Sequence, residues 1–142
     1  MTQEQKNDIR KSWAFIQPEI KKAGLLFYQK LFALAPAIRN LFKQDITEQA
    51  NKLMQVLEYI VQHLDEMETL ADEIKALGVR HNSYGAQPAH YEAVGTCLLE
   101  TLAEILGHLW TPEVKNAWTT AFYQVKQTMI VAQTKAYPIH TN

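Results

Sequence analysis

Apolar residues recur at the three-to-four-residue spacing of a helix face through nearly the whole chain, and residues that start or stop helices fall between the stretches. Thr2, followed three positions later by Gln5, has the form of a capping box and opens a predicted helix towards Gln17, where Pro18 interrupts it. A second helix is predicted from about Glu19 to Leu34, ending near Ala35 because the residue before a proline avoids helical backbone. Pro36 suits the first turn of a short helix towards Phe42. Asp45 with Glu48 repeats the cap-plus-acid arrangement before a strongly amphipathic helix, Ile46 to about Leu64. The acidic run Asp65-Glu66-Met67-Glu68 reads as a solvated linker. Leu70 to Tyr84 forms the next predicted helix, and Gly85 can take the left-handed backbone that ends it. Pro88 begins another that runs to Gly107, and Thr111-Pro112-Glu113 supplies cap, first-turn proline and favourable dipole charge for a last helix towards Tyr137. The pattern predicts six long helices and one or two short ones, with no internal repeat and no alternating strand. That is an all-α, non-solenoid architecture, expected to form one domain over residues 1–142.

Composition narrows the function classes. With 14 Lys plus Arg against 15 Asp plus Glu, there is no basic surplus to neutralise phosphates or anionic lipid, so neither nucleic acid nor a membrane surface is an expected partner. No glycine-rich phosphate-binding motif occurs. The single cysteine, Cys97, forms neither an internal disulfide nor a thiol-rich metal site, and reads as a small buried hydrophobe. No stretch approaches the roughly 18 continuous apolar residues of a membrane span. A cytoplasmic location is the expectation.

The informative positions are polar residues inside apolar stripes. On the helix before Gly85, the face Leu70, Ile74, Leu77, His81, Tyr84 turns an imidazole towards whatever the leucines bury. On the helix after Asp45, Ile46, Gln49, Leu53, Val56 and Ile60 share a face, which points an amide inward. On the second helix, Leu25, Tyr28 and Phe32 do the same with a phenol. An unpaired buried polar group costs about 1–3 kcal/mol, so each needs a partner. Each also has a plain structural explanation: a core histidine with its own acceptor, a tyrosine that buries its ring, a glutamine solvated near a helix start. Together they are consistent with a cavity that has a metal-binding imidazole on one wall and hydrogen-bond donors on the other, suited to a planar cofactor and a small polar ligand. No HExxH, Cys-His cluster or Ser-His-Asp arrangement competes with this. His63, His90, His108 and His140 fall at helix ends or among polar residues and are expected to be solvated. Trp13, Trp110, Trp118 and the stripe Val114, Trp118, Phe122, Val125, Met129 read as helix-packing core.

The segment LGVRHNSYGAQPAHYEAVGTCLLETL resembles the proximal region of bacterial single-domain haemoglobins and of flavohaemoglobin globin domains, and FYQKLFALAPAIRNLF resembles their distal region. The separations of Tyr28 from Phe42 and of Gln49 from His81 agree with that family, and the similarity runs through nearly the whole chain. The resemblance implies a globin fold around haem b (iron protoporphyrin IX), with His81 as the metal ligand and Phe42 stacked on the haem. It assigns Tyr28 and Gln49 as hydrogen-bond donors to bound O2, Leu53 as a residue crowding the ligand, and Leu57, Leu77 and Val94 as haem-lining residues. Lys52 and Arg80 become propionate partners or solvated charges. Tyr91 resembles a tyrosine near the proximal pocket. The family's inward glutamate on the last helix is matched here by Gln133, a departure: a neutral amide pushes far less electron density through the imidazole, so strong peroxidase-like chemistry is not expected.

What the resemblance implies functionally is reversible, high-affinity O2 binding, with CO gaining less from the same donors. A distal glutamine argues against a permanent bis-histidine state, so an open or weakly occupied sixth site is expected. Nitric oxide dioxygenation fits the same pocket but requires an external reductase. Gas sensing would act through a partner.

Overall fold

In the computed structural model of the chain, which describes residues 1–42, 45–67, 69–83 and 90–136 (backbone alone for 81–83 and 133–136), helices begin and end at the expected caps. Thr2 opens α1 (Gln3–Ile16) with a complete capping box: its hydroxyl accepts from the Gln5 N–H at 3.1 Å, and the Gln5 side chain accepts from the Thr2 N–H at 2.9 Å. Pro18 sits in a 3₁₀ turn, Gln17–Glu19, that leads directly into α2 (Ile20–Leu34), and Pro36 opens a 3₁₀ segment, Pro36–Leu41. Asp45 caps α3 (Ile46–Gln62) by accepting from the Thr47 N–H at 2.9 Å. Three more helices follow: α4 (Ala71–Ser83), α5 (His90–Leu106) and α6 (Pro112–Ala136), the last capped by the Thr111 hydroxyl. Among the described residues there is no strand, and no helix is long and apolar enough to cross a membrane. The expected end of α4 at Tyr84-Gly85 and start of the next helix at Pro88 lie outside the described residues.

Three sequence expectations need revision. The short elements are more numerous than one or two, since four 3₁₀ segments join the long helices among the described residues. The acidic run is not simply solvated. Leu64, only 1% exposed, draws the 3₁₀ turn Leu64–Glu66 onto the core, and this brings Asp65 to Lys6 (3.2 Å) and Arg10 (2.9 Å) of α1. Those two cations, Lys6 foremost, hold the Asp65 carboxyl below its ordinary pKa. Leu25, expected on the inward face of α2, is 45% exposed. The reason is the close crossing of α2 on α3: a Cβ on Gly24 would lie 3.0 Å from the Ala50 Cβ. Only a glycine fits comfortably there, so α2 is rotated to bury Ala23, Gly24, Phe27, Tyr28 and Leu31 and turns Leu25 outward.

The core has two parts. The larger joins α1, α2, α3, α5 and the first half of α6, and includes the tilted pair Trp13–Trp118 with ring centroids 6.0 Å apart. Trp118 donates its indole N–H to Ser12 at 2.9 Å, and Trp13 donates to Glu58 of α3, so the tryptophans bind helices together as expected. The smaller part comprises Leu70, Ile74, Tyr91 and Met129. It hangs α4 on α6, the most extensive helix contact among the described residues, whereas α3 and α4 scarcely touch each other. At the α4–α6 crossing, a Cβ on Gly78 would lie 2.5 Å from the Met129 carbonyl oxygen.

Candidate functional site

On α2, Tyr28 follows Phe27 into the core and is 5% exposed. Desolvation of the charged form pushes its pKa up to about 12, and a hydrogen bond with the Gln49 side chain opposes that rise. An amide N–H that donates to the phenol oxygen would leave the phenol proton available for a different acceptor. Tyr28 is therefore a neutral O–H donor throughout the neutral and mildly alkaline range.

The Gln49 partner comes from the first turn of α3, so the crossing at Gly24 and Ala50 is also what brings phenol and amide together. Gln49 is half-buried, not solvated at a frayed end. Around the phenol stand three aromatic rings. Phe27 packs edge-on at 4.9 Å between centroids, Phe42 edge-on at 5.3 Å and Phe32 tilted at 5.7 Å.

α3 presents two adjoining faces. Ala50, Met54 and Val61 are fully buried, whereas the face expected to point inward (Ile46, Gln49, Leu53, Val56, Ile60) is half-buried along its length. Leu53, Leu57, Val94 and Phe42 pack at the margin of the larger core, and Leu77 at the margin of the smaller one beside Tyr91. Tyr91 is buried, and burial raises its phenol pKa. Lys52 is exposed and pairs with Glu48 at 3.7 Å, and Arg80 is exposed on α4. The backbone of His81 lies on α4 three residues beyond Gly78; its side chain and that of Gln133 lie outside the described residues. Cys97 is buried with its thiol pKa raised by desolvation, as a small hydrophobe would be. His63 is half-buried against the Tyr59 ring, its Nδ1 2.8 Å from the Tyr59 carbonyl oxygen, and His108 is exposed.

Two residues of this region were not singled out from sequence. Gly78 did carry a signal, because a glycine inside a helix costs about 1 kcal/mol relative to alanine and usually has a packing reason. Arg39, whose guanidinium lies 5.1 Å over the Phe32 ring, carried none.

The described residues form an all-α fold whose core has two parts, with the buried Tyr28 phenol and its Gln49 partner in the larger one. The sequence profile of the Globin family matches residues 25–129, most of the chain, and the protein belongs to the globin family. The chain is 32% identical over 136 residues to an anaerobic nitrite reductase of Gossypium hirsutum, covering 85% of this chain and 83% of that one. It is 30% identical over 136 residues to neuroglobin-2 of Oncorhynchus mykiss, covering 86% of each. It is 29% identical over 133 residues to the flavohemoprotein of Vibrio cholerae serotype O1, covering 92% of this chain but only 34% of that protein, so it spans about a third of that relative's length.

Family membership brings haem binding and, through haem, gas binding. The residues here fit that group. Haem requires apolar surface with a few polar groups, and among the described residues the half-buried apolar margin (Phe42, Leu53, Leu57, Val94) and the Tyr28–Gln49 pair supply both kinds of group.

Proposed function

We propose that this globin binds O2 reversibly and with high affinity at haem b, for storage, delivery or scavenging. The observation that carries this reading is the buried phenol of Tyr28, kept protonated and bonded by Gln49 within a ring of aromatic side chains. Haem supplies an iron centre that takes up diatomic gases. In this reading His81 of α4 holds the iron, and Phe42, Leu53, Leu57, Leu77 and Val94 line the slot that excludes water. Tyr28 donates a hydrogen bond to the polarised gas, and Gln49 contributes both by donating to the phenol oxygen and through its remaining N–H. O2, which carries partial negative charge when bound, gains from these donors; CO, being less polar, gains little. Lys52 and Arg80 serve the propionates from the exposed rim, and Tyr91 packs behind α4. Position 133 carries a neutral amide, which favours holding O2 over splitting its bond. With Gln49 in place of a histidine, no permanent second imidazole would hold the iron, and its gas site would be open or weakly occupied.

The likeness to a flavohemoprotein favours a second reading, nitric oxide dioxygenation, in which NO and O2 combine to nitrate and one electron per turnover comes from outside residues 1–142. Mixing the oxygenated protein with NO in the presence of a reductase separates the two. We expect one stoichiometric oxidation and then arrest across bacterial flavin and nicotinamide reductases. Sustained nitrate production with any of them would replace the carrier reading by the enzymatic one.

A further inference from the structure

Phe42 ends the 3₁₀ segment Pro36–Leu41 in extended backbone (φ −104°, ψ 106°), where the regular bonding of the turn stops. Two bonds to the same residue hold it there. The Phe42 N–H donates to the Arg39 carbonyl at 3.2 Å, and the Arg39 Nη1 donates to the Phe42 carbonyl at 3.2 Å. The same guanidinium stacks over Phe32 of α2, with its central carbon 5.1 Å from the ring centroid. Phe32 and Phe42 are themselves in edge contact at 5.6 Å, and both rings contact Tyr28. Arg39 is exposed, yet among the described residues it makes no ion pair; its charge is committed to the aromatic side of the turn.

We propose that Arg39 is a positioning residue for the distal wall: one guanidinium, bonded to the Phe42 carbonyl and stacked over Phe32, fastens the loose end of the 3₁₀ segment to α2 and thereby holds the Phe42 ring against Tyr28. The inference rests on the reading of Phe42 as the residue that stacks on haem. The planar fork matters because it permits stacking and in-plane donation at once. A lysine ammonium keeps the charge but has no planar face to stack on Phe32 while donating to the carbonyl.

The test compares the unsubstituted chain with Arg39→Gln and Arg39→Lys. Without haem, amide hydrogen exchange over residues 36–42 is expected to be about three- to tenfold faster in Arg39→Gln, the scale of losing an exposed cation–π contact together with a hydrogen bond that water largely replaces at an exposed guanidinium. With haem, its release to an excess of a haem-scavenging apoprotein is expected to accelerate by a similar factor. The CO stretching band of the CO-bound form should be broader, or divided into more components, than in the unsubstituted chain as the Tyr28 surroundings loosen, while helical content by circular dichroism stays constant. Arg39→Lys should stay close to Arg39→Gln in all three readouts. Unchanged exchange over residues 36–42 overturns the clamp. Faster exchange with haem release within about twofold of the unsubstituted chain and an unchanged CO band overturns the positioning role. Full rescue by Lys overturns the planar requirement. If the unsubstituted chain takes up no haem, the reading of Phe42 fails, and with it the positioning role, whereas the exchange comparison still decides whether the clamp exists.

Discussion

Replacing Gly78 by alanine is expected to destabilise the haem-loaded protein by about 1–3 kcal/mol in urea unfolding and to shift the iron–histidine vibration. The added methyl would lie 2.5 Å from the Met129 carbonyl oxygen and 2.7 Å from its Cα, distances at which something must move. Overpacking of a close crossing typically costs about 1–3 kcal/mol and can cost more; obstruction by main chain at 2.5 Å puts Gly78 at the upper end, about 2–4 kcal/mol, so about 1–3 kcal/mol remains after the roughly 1 kcal/mol that alanine gains over glycine within a helix. The obstructing atoms are main chain, so Met129→Ala should not relieve the strain, and the double variant should be at least as unstable as Gly78→Ala alone. α4 packs on α6 and scarcely on α3, so the relief available is for α4 to stand off from α6, carrying the backbone at His81, three residues on, with it. Stability and vibration both unaltered in Gly78→Ala would mean that the crossing is slack and does not set the depth of α4.

Replacing Tyr28 by phenylalanine is expected to speed O2 release by about ten- to a hundredfold while changing CO release by only a few fold. A hydrogen bond to a charged acceptor is worth about 1.5–3 kcal/mol, and each 1.4 kcal/mol is a factor of ten. The ring is retained, so contacts with Phe27, Phe32 and Phe42 survive and the loss is confined to the hydroxyl. The phenol titrates at about 12, because burial disfavours the phenolate more than the Gln49 bond favours it. The donor form is therefore fully populated until pH nears that value, and O2 release from the unsubstituted protein should show no Tyr28-linked change between neutral and mildly alkaline conditions. Stopped-flow displacement of O2 by CO measures both effects, and an unchanged O2 release rate in Tyr28→Phe would remove this residue from gas binding.

What the sequence discloses about this fold is what local chemistry decides. Thr2–Gln5, Asp45 and Thr111 cap helices through bonds within three residues, and Pro18 and Pro36 act on their own backbone, so the element ends were legible. The rotation of α2 was not, because it is set by Gly24 meeting Ala50 on another helix, and Leu25 was placed inward as a result. Asp65 was unreadable for the same reason: its cations sit on α1, far away in sequence. Tyr28 and Gln49 stood out because both interrupt apolar stripes, a conflict between pattern and polarity visible without a structure. Their hydrogen bond to each other, and the Arg39 clamp, depend on how helices cross and needed the fold. Helical spacing set His81 in line with Ile74 and Leu77 on α4, the wall that α6 supports.

If the imidazole of His81 on α4 holds the haem iron, as proposed, the visible spectrum of His81→Gly will reveal it. The unsubstituted chain loaded with haem should give an intense ferrous Soret band characteristic of an imidazole ligand. In His81→Gly that band should collapse or shift, and free imidazole added to the solution should restore it. A variant that keeps the original ferrous and CO-bound spectra without added imidazole would show that the iron is held by some other group, and the site described here would be wrong.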